Sequence, residues 1–325
     1  MMPVLDVSDL RVAFPGVDAV RGISLRVERG QTHCVVGESG CGKSVTSLAI
    51  MGLLKSNASR SAEYVRLGGE DILRLPERRM RALRGSRLAM IFQEPMTSLN
   101  PAYTIGSQMT EVYRRHRGAS RRDAVERATA LLGRVGVSAA DMRLGQYPHE
   151  LSGGLHQRVM IAMALMCEPE LLIADEPTTA LDVTVQAQIL SLLCSLQKDS
   201  GLAILFITHD LGIVARMADR VSVMYAGEIV ESGPASAIFS RPMHPYTRGL
   251  LACIPVPGRR KRREPLPSIP GVVPRITPGF AGCGFRDRCA LASAACDDGI
   301  PEQAAEVDHH YRCQLVPQDA ARSVS

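Results

Sequence analysis

Short apolar runs punctuate the first two-thirds of this chain, with helical periodicities between them. Thr32–His33–Cys34–Val35–Val36, Leu171–Leu172–Ile173–Ala174 and Ala203–Ile204–Leu205–Phe206–Ile207 are near-continuous apolar stretches of strand length. Strands covered on both faces read this way, and parallel sheets are made of them. Between the last two, Val185, Ile189, Leu192 and Leu196 recur at helical spacing and give one apolar face. The alternation predicts an α/β fold with a mostly parallel sheet. From about Thr104 to Glu150 there is no strand signal; the stretch is charged, helical in pattern, and reads as a helical insertion. After Gly249 the pattern breaks. Pro255, Pro257, Pro265, Pro267, Pro270, Pro274 and Pro278 punctuate a loop-rich tail. The boundary is placed near Gly233.

Composition narrows the class. The 325 residues suit one large domain or two small ones. Apolar residues at 46% and charged residues at 22% are ordinary for a soluble globular protein. A net charge of +5 does not call for nucleic acid, though it suits an anionic ligand or a membrane surface. The first ten residues, Met1 to Leu10, carry acids and no basic stretch before an apolar block, so they do not read as a secretory signal. No window holds a membrane-length run of uncharged apolar residues, so a membrane role has to come through partners.

Gly37-Glu38-Ser39-Gly40-Cys41-Gly42-Lys43-Ser44 fits the phosphate-loop pattern, lying after a strand and before a helical run from Val45 to Leu54. Glycines let the backbone wrap phosphates without Cβ clashes, and backbone N–H groups at the positive helix end hold the negative charge. In this chemistry Lys43 bridges the β- and γ-phosphates and the Ser44 hydroxyl ligates Mg²⁺. A second element is the apolar strand that ends in Asp175-Glu176. Asp175 suits Mg²⁺, directly or through water, and Glu176 suits a general base on the attacking water. Such acid pairs are common after strands; behind a phosphate loop they carry weight.

Leu151-Ser152-Gly153-Gly154-Leu155-His156-Gln157-Arg158 opens a helical run through Leu165. Ser plus two Gly at a helix start is a second anion site, and two in one chain suggest ATP held between two subunits. On these motifs, in this order over the first 235 or so residues, the sequence resembles the nucleotide-binding subunits of ABC (ATP-binding cassette) transporters. The resemblance implies an α/β P-loop NTPase cassette: a RecA-like core, a β-rich edge and a helical subdomain at about 104–160. It places residues 1–233 in the cassette and 234–325 in a loop-rich, cysteine-containing extension. It further implies that Phe14 stacks on adenine and that Gln93, in Met90-Ile91-Phe92-Gln93-Glu94-Pro95, senses Mg²⁺ and the membrane partner. By the same match Ser152, Gly153 and Gly154 contact the γ-phosphate of the opposite subunit. Asp182, in Ala180-Leu181-Asp182, belongs to the D-loop, and His209 is the switch histidine at the γ-phosphate. Leu155 departs from the usual Gln of the signature, and Gln157, two positions on, fits the peptide-importer branch; His156 is less usual.

Met96-Thr97-Ser98-Leu99-Asn100-Pro101 and His244-Pro245-Tyr246-Thr247 resemble the oligopeptide and dipeptide importers. In physical terms Pro245 ends a helix or fixes a turn and Tyr246 docks on apolar surface. The resemblance implies an ATPase coupling hydrolysis to peptide uptake at the cytoplasmic face of the inner membrane. Nickel chelates or glutathione are alternative cargoes, and a soluble non-transport ABC ATPase is the remote alternative. Implied partners are two membrane permeases, a second ATP-binding subunit (a copy or a paralogue) and a periplasmic or lipoprotein substrate-binding protein, with no nucleic acid. A P-loop GTPase is disfavoured, because no Asn-Lys-x-Asp motif is present.

Nine cysteines are present, and Cys283, Cys289, Cys296 and Cys313 crowd into the tail as C-x5-C-x6-C-x16-C. Without an export signal a disulfide framework is disfavoured, and the cluster reads as a metal or iron–sulfur site. The importer branch has members whose cysteines hold a [4Fe-4S] cluster, which makes that the favoured occupant, with zinc or unligated thiols as alternatives. Arg259-Arg260-Lys261-Arg262-Arg263 reads first as a solvated basic loop and second as a contact for anionic lipid.

Overall fold

A computed structural model describes residues 2–93, 98–179, 181–254 and 268–314. Residues 94–97, Ala180, the basic run Arg259–Arg263 and the prolines 255, 257, 265 and 267 lie outside the described residues. In chain order the elements begin β1 (Leu5–Phe14), β2 (Val17–Val27), β3 (Thr32–Val36), α1 (Lys43–Met51), β4 (Ser59–Ser61), β5 (Tyr64–Leu67), β6 (Glu70–Asp71), α2 (Glu77–Leu83) and β7 (Leu88–Ile91). There follow the helices α3 (Ile105–Arg117), α4 (Arg121–Arg134), α5 (Ala140–Leu144) and α6 (Gly153–Ala164), then β8 (Leu171–Asp175), α7 (Val183–Ser200) and β9 (Ala203–Thr208). The described chain closes with α8 (Leu211–Met217), β10 (Arg220–Tyr225), β11 (Glu228–Pro234), α9 (Ala235–Ser240), α10 (Pro245–Ala252), β12 (Gln303–Glu306) and β13 (His309–Tyr311).

Two compact units form. The first comprises Met1–Leu5, Val27–Gln31 and Arg66–Phe206. In it β7 and β8 pair in parallel, with Met90 opposite Ile173 and Ile91 opposite Ala174. All five residues of β8 are buried, as its unbroken apolar run requires. Helices α3 to α6 fill the span between these strands. Thr104 caps α3 by accepting from Ser107 N–H, and Ser120 caps α4 by accepting from Asp123 N–H. Their apolar faces, Ile105 and Met109 on α3 and Ala124, Ala128, Leu131 and Leu132 on α4, are buried, while arginines crowd the last turn of α3, where the helix dipole favours cations.

The second unit comprises Asp6–Arg26, Thr32–Val65 and Ile207–Ser325. Here β3 and β10 pair in parallel, with Cys34 opposite Val221. β10 pairs antiparallel with β11 and shifts register between Val223 and Met224. The tail then adds to the sheet: β13 pairs with β11 (Tyr311 opposite Glu231) and β12 pairs with β13. Buried Glu231 secures this addition. Its carboxylate accepts from His309 Nε2 at 2.7 Å and from the N–H groups of Met243 at 2.7 Å and His244 at 2.8 Å. Buried polar atoms are kept only where such donors satisfy them.

The tail corrects one sequence expectation. Pro245 opens α10 at its first position, where a missing N–H costs nothing, and His244 is the N-cap, its Nδ1 accepting from Tyr246 N–H at 3.1 Å. Tyr246 is fully buried, its ring centre 4.6 Å from that of Tyr225 and 5.3 Å from that of Phe285, and its hydroxyl accepts from Glu38 N–H at 2.9 Å.

Candidate nucleotide-binding site

In the second unit, residues 37–42 turn the chain from β3 into α1. Gly42 caps the helix at φ +107°, and a Cβ there would sit 2.5 Å from the Ala19 carbonyl oxygen. Only glycine fits. No side chain caps α1 and no acid occupies its first turn, so no carboxylate of the helix competes for the positive end presented by Lys43, Ser44 and Val45. Lys43 is buried, and its Nζ donates to Gly37 O at 2.8 Å and Glu38 O at 2.9 Å, holding the ammonium across the loop. Ser39 and Gly40 stand exposed at the tip; Cys41 is buried, and burial pushes its thiol pKa up. Phe14 is the half-buried last residue of β1. His209 is exposed just after β9, beside Asp210, whose carboxylate caps α8 by accepting from Gly212 N–H at 2.7 Å.

The first unit holds the acids and the signature segment. Asp175 is buried at the end of β8. Glu176 follows at φ +46°, a left-handed conformation that a glutamate adopts only under strain. Extending the β7–β8 register by two residues brings 93 opposite 176, and Gln93 Nε2 donates to Glu176 Oε2 at 3.3 Å. Thr179 Oγ1 donates to the same oxygen at 3.0 Å. Sequence reasoning had no signal for Thr179, which carries no motif of its own.

Ser152 is the N-cap of α6, yet its hydroxyl makes no capping bond. A Cβ built on Gly154 would press Val185 Cγ1 at 3.1 Å, so packing within the chain explains that glycine. A Cβ on Gly153 would meet nothing within 4 Å. Among the described residues nothing packs against that position, so packing does not explain this glycine. His156 and Gln157 are each 1% exposed, and none of their side-chain polar atoms finds a hydrogen-bond partner among the described residues. Asp182 caps α7, accepting from the N–H groups of Thr184 and Val185 at 3.0 Å.

In the extension, Cys283, Cys289, Cys296 and Cys313 line one small pocket with Phe285 and Ile300. None of the four is in a disulfide. Burial pushes the Cys283 thiol up to about 11, with the neighbouring cysteines adding to the shift. Among the described residues no group of three or more His, Cys, Asp or Glu is set to hold a metal ion. The chemistry of the donors still fits a soft metal centre: thiols gathered in an apolar pocket are the ligand set of zinc and iron–sulfur sites.

Residues 20–179 match the ABC transporter family, and residues 230–296 match the C-terminal region of oligopeptide/dipeptide transporters. An ATP-binding protein of Brucella melitensis assigned to peptide import is 52% identical over 326 residues, 96% of each chain. The dipeptide transport ATP-binding protein DppD of Bacillus subtilis is 46% identical over 330 residues, covering 100% of this chain and 98% of its own. The chain belongs to the ABC transporter family. This ABC protein has the fold of the ATPase cassettes. CbiO1 of Clostridium perfringens, part of the CbiONQ transporter complex, superposes with a TM-score of 0.64 at 27% identity, over 74% of this chain and 92% of that one. The dimeric bacterial cassette MJ0796 does so at 0.64 and 25% identity, over 71% of this chain and 98% of its own.

Proposed function

We propose that this ABC ATPase powers a peptide importer, binding and hydrolysing ATP at the inner face of the cell membrane to drive uptake of dipeptides or oligopeptides. The observation that carries the reading is the joining, in one chain, of a cassette segment at 20–179 to an oligopeptide/dipeptide transporter segment at 230–296. The peptide-import and dipeptide-transport relatives match over nearly their whole length, which supports the same assignment. Among the described residues no helix is long and apolar enough to cross a membrane, so the proposed partners, two permease subunits, supply the channel. A substrate-binding protein would deliver the peptide. Residues 1–233 are proposed as the cassette and 234–325 as the extension.

The roles follow the chemistry. Lys43 and the N–H groups of the 37–45 loop hold the triphosphate, with Phe14 against the base. The Ser44 hydroxyl, the Gln93 amide oxygen and the Asp175 carboxylate are hard oxygen donors and would hold Mg²⁺, which neutralises phosphate charge. Glu176, aimed by its strained backbone and steadied by Gln93 and Thr179, takes the proton of the attacking water. His209 stabilises charge at the γ-phosphate. Ser152, Gly153 and Gly154 meet the nucleotide of a second cassette, and Asp182 lies beside that seam. Cys283, Cys289, Cys296 and Cys313 are proposed as ligands of a [4Fe-4S] cluster, with zinc as the alternative; the centre would brace the extension and take no part in hydrolysis.

Co-purification with the proposed permease subunits and reconstitution in vesicles tests the reading. ATP-dependent entry of dipeptides or oligopeptides is expected. Uptake confined to a nickel chelate or glutathione would move the cargo assignment, and a chain that assembles with no membrane subunit would move it to a non-transport ATPase. Protein purified without oxygen should be brown and carry iron and sulfide; a colourless preparation with zinc, or with no metal, excludes the cluster.

A further inference from the structure

The phosphate loop is gripped from outside by the C-terminal extension. Arg288, the residue before Cys289, forks onto the Glu38 carboxylate, Nη1 donating to Oε2 at 2.6 Å and Nη2 to Oε1 at 3.0 Å. Its other donors are spent locally: Nε to Pro270 O at 2.7 Å, Nη2 to Ile269 O at 3.1 Å, and Nη1 to the Tyr225 hydroxyl at 3.2 Å. Only 5% of the Arg288 side chain is exposed. The guanidinium lies 5.7 Å from the Tyr225 ring centre and 5.9 Å from that of Phe285. Glu38 is held at two further atoms. Its N–H donates to the Tyr246 hydroxyl at 2.9 Å, and its carbonyl accepts from Lys43 Nζ at 2.9 Å. Its amide and carboxylate are thus fixed by residues beyond 240, and its carbonyl fixes the ammonium that meets phosphate.

We propose that Arg288 is a positioning residue for ATP binding, fixing the phosphate loop through Glu38 so that the extension sets the affinity for nucleotide. This rests on the ATP-binding reading of the 37–45 loop. A glycine-bearing loop has many conformations to lose when it closes on phosphates. A planar, bidentate, largely buried ion pair removes part of that freedom in advance, and preorganisation of this kind appears in binding more than in chemistry. Lysine cannot reproduce the fork, because it offers a point charge without the paired donors.

The test uses the full-length chain, with MgATP binding followed by calorimetry and hydrolysis by steady-state kinetics. Arg288→Met should weaken MgATP binding and raise KM about tenfold, with a far smaller fall in kcat. Arg288→Lys should recover only part of the affinity. Glu38→Gln should reproduce the loss, and the double variant should be no worse than the more affected single one, because both changes break one link. A merely structural role for Arg288 would lower thermal stability but add its effect on affinity to that of Glu38→Gln. Additive losses, or unchanged MgATP binding in both single variants, overturn the proposal. Should Arg288→Met fail to fold, Glu38→Gln decides alone, since wild-type affinity in that variant shows that the link does not matter. If the wild-type chain binds no MgATP, the nucleotide reading itself fails, which is a distinct outcome.

Discussion

Gln93 and Glu176 lie 83 residues apart in sequence, yet the Gln93 side-chain amide donates to the Glu176 carboxylate at 3.3 Å. The parallel pairing of β7 with β8 makes them neighbours, and the positive φ of Glu176 turns its side chain out of the strand line. Gln93 and Thr179 both donate to this carboxylate, which steadies the side chain proposed as the general base.

Glu176→Gln keeps the volume and the hydrogen-bonding reach and removes the base. Hydrolysis should fall by at least about 10²-fold, the usual contribution of general base catalysis. MgATP binding should stay within about twofold of wild type, because ground-state contacts are kept. Gel filtration with MgATP should then show a lasting dimer of cassettes. Normal turnover in this variant would remove Glu176 from the role.

The strands that form β3, β8 and β9 were legible because they are buried on both faces and so carry unbroken apolar runs. β1 was not. Leu5, Val7, Leu10 and Val12 are its buried residues, and Asp9 at φ +49° shifts the alternation between Val7 and Leu10, which disguises the period of two. The proposed phosphate loop, the Asp175–Glu176 pair and the Ser152–Gly154 segment stand out in the sequence because each is a local pattern. Arg288 was not, since its partner Glu38 lies 250 residues away and an isolated arginine in a loop carries no periodic or motif signal. Pro245 was misread as a turn or helix end because proline serves equally at a first helical position.

Acid should destabilise the second unit through two histidines. Burial holds His33 and His244 each at about 4, against 6.5 for an ordinary imidazole. His33 Nδ1 donates to Arg26 O at 2.7 Å and its Nε2 pairs with Ser222 Oγ at 2.8 Å, while His244 Nδ1 accepts from a backbone N–H. Both rings are thus neutral in the folded chain. Unfolded, they take a proton near 6.5, so the unfolded state binds more protons below that value. Their stabilisation is complete above about pH 6.5 and is lost as pH falls towards 4, by up to about 1.4 kcal/mol per pH unit for each ring. Urea unfolding between about pH 7.5 and 5 checks this. His244→Asn, which keeps a capping acceptor, should flatten the slope; an unchanged slope would acquit His244.

His156 offers a stabilising substitution. Its ring is 1% exposed, and neither nitrogen makes a well-formed hydrogen bond among the described residues; the backbone of Leu151 and Ser152 lies near it without the geometry of one. Burying such a group costs about 1–3 kcal/mol. His156→Met fills a similar volume without polar atoms, so the variant should unfold later on heating, by roughly 1 kcal/mol or more at the midpoint. Lower stability would mean that the imidazole has a partner in solution.

Gly153 separates a folding role from a ligand role. A methyl group there meets nothing within 4 Å, and position 153 opens a helix, where alanine is a better residue than glycine. Gly153→Ala should therefore unfold at the wild-type temperature or slightly above it, a gain of roughly 0–1 kcal/mol. Its ATPase activity, measured in the assembled complex, should fall about 10²-fold, because the added methyl stands where the backbone N–H groups of the helix start must reach a phosphate. The two readouts move in opposite directions only if the glycine serves an approaching ligand. Full activity with unchanged stability would show that nothing comes close to this helix start during turnover, and the shared-nucleotide arrangement would have to be abandoned.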